Sequence, residues 1–172
     1  MNAIYPGSFD PVTNGHVNIA RRSASIFGGL VVAVLDNPHK TPLFSVDERI
    51  AMLREVFKSD SNIEVDAFSG LLVKFAHKRD INVIIRGLRG SDDFSKELPY
   101  AIWNRQLSVG LAKSLETVYF TAEPKYTHIS GSIVKEVAAH VYAGGHDDEI
   151  IAQAVPPAVR VALRDKYNIP RI

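Results

Sequence analysis

Two runs in this chain are apolar at every position rather than at every second one: Leu30-Val31-Val32-Ala33-Val34-Leu35 and the shorter Val83-Ile84-Ile85. A strand without a polar face must be covered on both sides, which is the condition of an inner strand in a parallel sheet sandwiched by helices. Strand-like and helix-like segments alternate around these runs. Ala3-Ile4-Tyr5 reads as a strand and 17–24 as a helix. A capping box, Ser45 with Glu48 three positions on, opens a helix to about residue 58. Residues 63–67 alternate as a shorter edge strand, 71–77 and 94–108 read as helices, and 117–120 as a fifth strand. A helix over 133–142 breaks at Gly144-Gly145, and Pro156-Pro157 begins a last helix to about 167. No repeat, low-complexity tract or interdomain linker appears. The expectation is one doubly wound α/β domain with a five-stranded, mostly parallel sheet. A chain of 172 residues is long enough to bury a proper core.

In such sheets ligands bind beyond the carboxyl ends of the strands. The polar residues of interest fall at that edge. Tyr5-Pro6-Gly7-Ser8-Phe9-Asp10-Pro11-Val12-Thr13-Asn14-Gly15-His16 joins the first strand to the first helix; Lys40 follows the second strand in a loop containing Pro38 and Pro42. Arg86-Gly87-Leu88-Arg89-Gly90 reads as a glycine-spaced basic turn after the fourth strand, and Ser130-Gly131-Ser132 follows the fifth. A helix N-terminus offers free N–H groups and the positive end of the dipole, which suits phosphate.

The remaining composition narrows the chemistry. The net charge of +1 gives no footprint for nucleic acid, and with no cysteine there is no disulfide, thiolate nucleophile or cysteine metal site. The start lacks the pattern of a signal peptide, and the longest apolar run is too short to span a bilayer, so a cytoplasmic protein is expected. The chain carries neither a G-x-x-x-x-G-K-S/T loop nor a G-x-G-x-x-G fingerprint. Ser8, Thr13, His16, Lys40, Arg86, Arg89, Ser130 and Ser132 form a set of donors without an evident base. That set suits nucleotidyl transfer, because a phosphate nucleophile is already an anion and needs alignment and charge neutralisation rather than deprotonation. Taken singly, Lys40 also fits a solvated loop lysine, Glu97 a helix-surface carboxylate, and Trp103 and Leu71/Leu72 core positions. His39, His77, His128, His140 and His146 show no metal-ligand spacing.

The chain resembles the bacterial phosphopantetheine adenylyltransferases, within the nucleotidyltransferases marked by a T/H-x-G-H motif. Thr13-Asn14-Gly15-His16 is that motif, and Tyr5 to His16 matches the family opening Y-P-G-S/T-F-D-P-x-T-x-G-H throughout. Ile85-Arg86-Gly87-Leu88-Arg89, Asp93-Phe94-x-x-Glu97 and Ile129-Ser130-Gly131-Ser132-Ile133-Val134-Lys135 follow in the family's order. The resemblance implies a Rossmann-like fold, a homohexamer, and transfer of the adenylyl group of ATP to 4′-phosphopantetheine with Mg²⁺, giving dephospho-CoA and pyrophosphate. CoA is implied as a feedback ligand, with no metal held by the protein itself.

The resemblance also implies roles for residues. His16 and Lys40 would be catalytic, His16 as a charge-stabilising donor at the α-phosphate. Ser8, Lys40, Leu72, Arg86 and Asn104 would bind the acceptor. Ser8, Phe9, His16, Gly87, Leu88, Arg89, Glu97, Tyr126, Thr127, His128, Ile129, Ser130, Gly131 and Ser132 would bind ATP. Two departures stand out: Ser8 replaces a frequent threonine and keeps its hydroxyl, whereas Gly131 replaces a common serine and loses one. The stretch 108–115 and the C-terminal tail receive no role. Two other readings remain: a relative with a nicotinamide mononucleotide or cytidylyl acceptor, and a non-catalytic nucleotide-binding module. Thr13 in place of histidine and the R-G-L-R segment favour phosphopantetheine over the first, and the intact donor set argues against the second.

Overall fold

The strands are β1 (Ala3–Gly7), β2 (Leu30–Asp36), β3 (Ile63–Ser69), β4 (Val83–Leu88) and β5 (Glu116–Thr121). They form one sheet in the order β3-β2-β1-β4-β5, and every neighbouring pair is parallel. The computed structural model describes residues 3–36, 41–144 and 148–167. The predicted catalytic Lys40, with His39, Gly145 and His146, lies outside the described residues. Helices α1 (Asn14–Phe27), α2 (Val46–Val56), α3 (Leu72–Lys78), α4 (Ser91–Leu107), α5 (Gly131–Ala143), α6 (Glu149–Ala154) and α7 (Pro157–Lys166) complete the fold.

The sheet divides the core in two, as runs apolar on both faces require. Ala3 and Tyr5 of β1 and Leu30, Val32 and Val34 of β2 point into one cluster, together with residues of α1, α2, α5, α6 and α7. The intervening Ile4, Val31 and Ala33 point into the other, with Ile84 and with Val73 and Ala76 of α3. This is the period-two alternation of a strand with both faces covered. The sheet order reverses at β1, between β2 and β4, and there the β1 and β4 ends open side by side, which is where a ligand crevice forms in such folds.

The structure corrects the expected boundaries in two places. The basic turn after the fourth strand is mostly strand: Arg86, Gly87 and Leu88 pair with Tyr119, Phe120 and Thr121 of β5. Gly87 keeps the ladder open to α1, because a Cβ there would collide with the Ile19 side chain. Helix α6 was not anticipated. Its six residues are too few for a periodic signal, and its place is set by burial of Ile151 and by Asp148 just before it.

Asp148 joins three helices. Its buried carboxylate accepts from Tyr142 Oη of α5 at 3.2 Å, from Arg160 Nε at 2.8 Å and from Arg164 Nη2 at 2.7 Å of α7. The Arg160 guanidinium leads in holding this carboxyl far below the usual range; burial opposes it, and Arg164 and Tyr142 add to it. A carboxyl depressed in the folded state stabilises the fold above its unfolded value of about 3.9, and that stabilisation is lost as pH falls below it. Asp148→Asn is expected to cost about 3 kcal/mol in urea unfolding at pH 7, and the gap from the parent protein should narrow below about pH 4. A gap under about 0.5 kcal/mol at pH 7 would remove Asp148 as the anchor of α5 and α7.

Candidate active site

The β1–α1 turn is held in shape by two buried charged groups. The Asp10 carboxylate accepts from the backbone N–H groups of Leu43 at 3.0 Å and Phe44 at 2.9 Å, and from Lys135 Nζ of α5 at 2.6 Å. Burial alone would raise its pKa; Lys135 and the two N–H donors outweigh that and hold it low. Arg49 of α2, 3% exposed, donates through Nη1 to the carbonyls of Ser8 at 2.8 Å and Leu35 at 3.3 Å, and through Nε to that of Ser45 at 3.3 Å. It thereby ties the carboxyl ends of β1 and β2 together. Neither residue received a role from the sequence, although Arg49 left a signal: it shares the apolar face of α2 with Met52 and Leu53, three and four positions on.

Within this turn Phe9 adopts φ 47°, an uncommon conformation for a large side chain, and its ring is buried. The ring meets Tyr5 edge-on at 5.4 Å and His16 edge-on at 5.3 Å. Thr13 caps α1, and His16 occupies the third helical position, where a capping box ordinarily has a carboxylate or amide. His16 Nδ1 accepts from the Thr13 N–H at 3.1 Å. An N–H can only donate, so Nδ1 is unprotonated and the neutral ring carries its proton on Nε2. Burial, and to a lesser degree the Arg89 guanidinium, push the His16 pKa down to about 4.

Each of the two arginines holds a carboxylate. Arg86 grips Glu97 of α4 with Nε at 2.6 Å and Nη2 at 2.5 Å, while Nη1 donates to the Pro6 carbonyl at 2.9 Å. Arg89 grips Asp93 with Nε at 2.8 Å and Nη2 at 2.9 Å. Among the described residues no three His, Asp or Glu side chains gather as a metal cluster.

These groups bound two adjoining cavities. The first, about 250 Å³, is lined by Ser8, Phe9, His16, Gly87, Arg89, Tyr126, Ile129 and Ser130, together with Arg86 and Glu97. The second, about 460 Å³, has Leu72 and Asn104 on its wall beside Leu35, Phe68, Tyr100 and Thr117. Pro6, Gly7, Ser8, Arg86 and Glu97 belong to both walls. Thus the predicted nucleotide residues and the predicted acceptor residues fall largely into different chambers that meet at Ser8 and the Arg86–Glu97 pair. Leu88, Thr127, His128, Gly131 and Ser132 are on neither wall. Ser130 Oγ caps α5 by accepting from Ile133 N at 3.2 Å. A Cβ at Gly131 would stand 3.0 Å from the Asp10 carbonyl oxygen, so in this arrangement the glycine lets α5 close on the β1–α1 turn.

The unusual state of His16 is directly measurable. NMR titration of the free protein should give a His16 midpoint near 4, with the proton on Nε2 at neutral pH. Because the folded value lies below the ordinary one of about 6.5, the neutral ring stabilises the fold above that pH, and this is lost as pH falls toward the lower value. A midpoint near the ordinary value would contradict the geometry.

The chain is similar to known proteins over nearly its whole length. Residues 4–137 match the cytidylyltransferase-like family model. The chain is 45% identical over 166 residues to a phosphopantetheine adenylyltransferase of Solidesulfovibrio magneticus, covering 96% of this chain and 90% of the relative. It is 47% identical over 166 residues to one of Caldanaerobacter subterraneus, covering 96% and 97%. A Plasmodium falciparum nicotinic acid mononucleotide adenylyltransferase, solved with NaAD, shares the fold with a TM-score of 0.66 at 15% identity over 96% of this chain and 95% of that one. Matched by the family model over most of its length and by these relatives over nearly all of it, the chain belongs to the phosphopantetheine adenylyltransferase family of cytidylyltransferase-like proteins.

Proposed function

We propose that this protein transfers the adenylyl group of ATP to 4′-phosphopantetheine, forming dephospho-CoA and releasing pyrophosphate. The observation that carries the reading is the pair of chambers sharing a wall at Ser8, Arg86 and Glu97. One chamber is lined by His16, Arg89 and the loop before α5, which suits a nucleotide. The other has an apolar flank of Leu35, Phe68 and Leu72 with Asn104 as an amide partner, which suits a pantetheine arm. An acceptor phosphate at the shared wall faces the α-phosphorus of a nucleotide in the first chamber. Its oxygen bonds to that phosphorus while the bond to the bridging oxygen of the β-phosphate breaks, and pyrophosphate leaves.

The residues then act mainly by alignment and charge. Ser8 and Arg86 hold the acceptor phosphate, and Lys40 bridges the reacting phosphates. Gly87, Arg89, Tyr126, Ile129 and Ser130 hold the nucleotide, with Phe9 shaping its floor. His16 serves as a neutral donor, its Nε2–H directed by the Thr13 N–H behind it, so that stabilisation comes from a preoriented dipole rather than a free cation. The carboxylates at the site, Asp93 and Glu97, are taken by arginines. This donor set therefore fits Mg²⁺ carried on the triphosphate, where it would neutralise the phosphate oxygens and the leaving pyrophosphate. Dephospho-CoA, and CoA as a feedback ligand, would extend across both chambers, and the reaction is assigned to the cytoplasm.

We also propose a homohexamer. Every residue of α4 is at least partly exposed in the single chain, and the helix and its end display Tyr100 (68% exposed), Trp103 (62%) and Val109 (81%). Apolar surface of this extent marks an interaction site. The expected solution mass is six times the 19.0 kDa chain, and Trp103→Glu should shift it toward smaller species. A parent protein that runs as a monomer at micromolar concentration would overturn the assembly.

Pyrophosphate release with ATP and a panel of acceptors tests the activity. Turnover is expected with 4′-phosphopantetheine, whereas turnover with nicotinamide mononucleotide alone would replace the proposed acceptor. His16→Ala should lower kcat by about 10²–10³-fold with a much smaller change in the KM for ATP, as for loss of a donor made effective in the transition state. Near-normal kcat would remove His16 from that role.

A further inference from the structure

The acceptor role of Arg86 creates a difficulty that the structure also answers. Three of the five Arg86 N–H groups are engaged: Nε and Nη2 hold Glu97 along one edge of the guanidinium, and Nη1 holds the Pro6 carbonyl. A phosphate monoester that enters from the second chamber and takes the two-donor Nε/Nη2 edge displaces Glu97 from it. A carboxylate deprived of its guanidinium and left beside a dianion would be repelled and underpaired.

A second donor stands nearby. Tyr119 on β5 is the direct register partner of Arg86 on β4, so the two side chains rise from the same face of the sheet. That face is covered by α4, whose Phe94 packs on the Tyr119 ring at 5.4 Å and 70°. Glu97 is three residues beyond Phe94 and therefore shares its side of the helix. The Tyr119 hydroxyl is buried, and it has no hydrogen-bond partner among the described residues. A buried hydroxyl left unpaired is destabilising, and such atoms are few in folded proteins.

We propose that Tyr119 is a positioning residue for acceptor binding: when the acceptor phosphate takes Arg86, the Glu97 carboxylate turns to the Tyr119 hydroxyl. The exchange moves the Glu97 carboxylate away from the incoming phosphate, and it gives the orphan hydroxyl its acceptor. Burial, with the Glu97 charge adding and Arg86 opposing, raises the Tyr119 pKa, so the phenol stays a protonated donor. Arg86 then changes one anion for another, and Glu97 changes one donor for another. No bond is made or broken.

This inference rests on Arg86 binding the acceptor phosphate, and the test separates the two. In Tyr119→Phe the thermal midpoint should be unchanged or higher, because the lost hydroxyl has no partner among the described residues. The Kd for 4′-phosphopantetheine by calorimetry should rise about tenfold, as for loss of one hydrogen bond to a charged group, with the KM for ATP within about twofold of the parent's. Arg86→Ala should weaken the acceptor on its own, and adding Tyr119→Phe to it should change little further, since the exchange no longer takes place. An unaltered acceptor Kd in Tyr119→Phe overturns the proposal while leaving Arg86 in its role. A lowered midpoint with equal losses for both substrates also overturns it, because that marks a packing residue. An unaltered acceptor Kd in Arg86→Ala removes both the role of Arg86 and the exchange built on it.

Discussion

The site depends on the buried guanidinium of Arg49. Strands β1 and β2 stop at the same edge, and the carbonyls of Ser8, just past β1, and Leu35, near the end of β2, lie there. Arg49 donates to the Ser8 and Leu35 carbonyls from one nitrogen and to Ser45 from another, so one side chain joins the two strand ends to the helix that follows. Asp10 does the complementary task for N–H groups, collecting those of Leu43 and Phe44 and the ammonium of Lys135. Between them these two side chains satisfy backbone groups that would otherwise be buried without partners, and the turn carrying Ser8, Phe9 and His16 is kept in one shape. A turn of this kind gains precision from being overdetermined, which is how the φ of 47° at Phe9 is sustained.

The same economy of pairing governs the electrostatics. A site formed of cations for polyphosphate would repel itself if left unpaired. Here Arg86 is matched by Glu97 and Arg89 by Asp93, and His16 is neutral because Thr13 donates to its Nδ1 and burial disfavours charge. Helix α4 supplies both carboxylates while also walling the second chamber with Tyr100, Ala101 and Asn104. The same helix also carries an outward apolar surface at Tyr100 and Trp103.

Much of this was legible in the residues. The unbroken apolar runs implied a sheet covered on both faces, and the alternation of segments implied parallel strands. The Ser45–Glu48 box marked the start of α2 by a local hydrogen-bond geometry that needs only neighbours in sequence. The short helix α6 and the strand character of Arg86, Gly87 and Leu88 were not legible, because both follow from contacts across the fold. Gly87 reads as a turn residue until Ile19 of α1 is seen to need its space. Arg49 was overlooked for a related reason: a lone arginine among apolar helix positions signals burial but does not name the carbonyls it will meet.

The sequence by itself determined the layer architecture, the family to which the chain belongs, and the donor chemistry of the edge, because these depend on periodicity, composition and short motifs. Only the tertiary structure decided how those donors are used. It distributed the donors over two adjoining chambers and paired Arg86 and Arg89 each with a carboxylate from α4. It also made His16 neutral and set across from Arg86 a Tyr119 hydroxyl without a partner among the described residues. The physical reason is that charge state and hydrogen-bond partner are properties of surroundings. Arg86 and Glu97 are eleven residues apart in the chain, and Tyr119 is far beyond both, so no local pattern reports that the three meet on one face of the sheet.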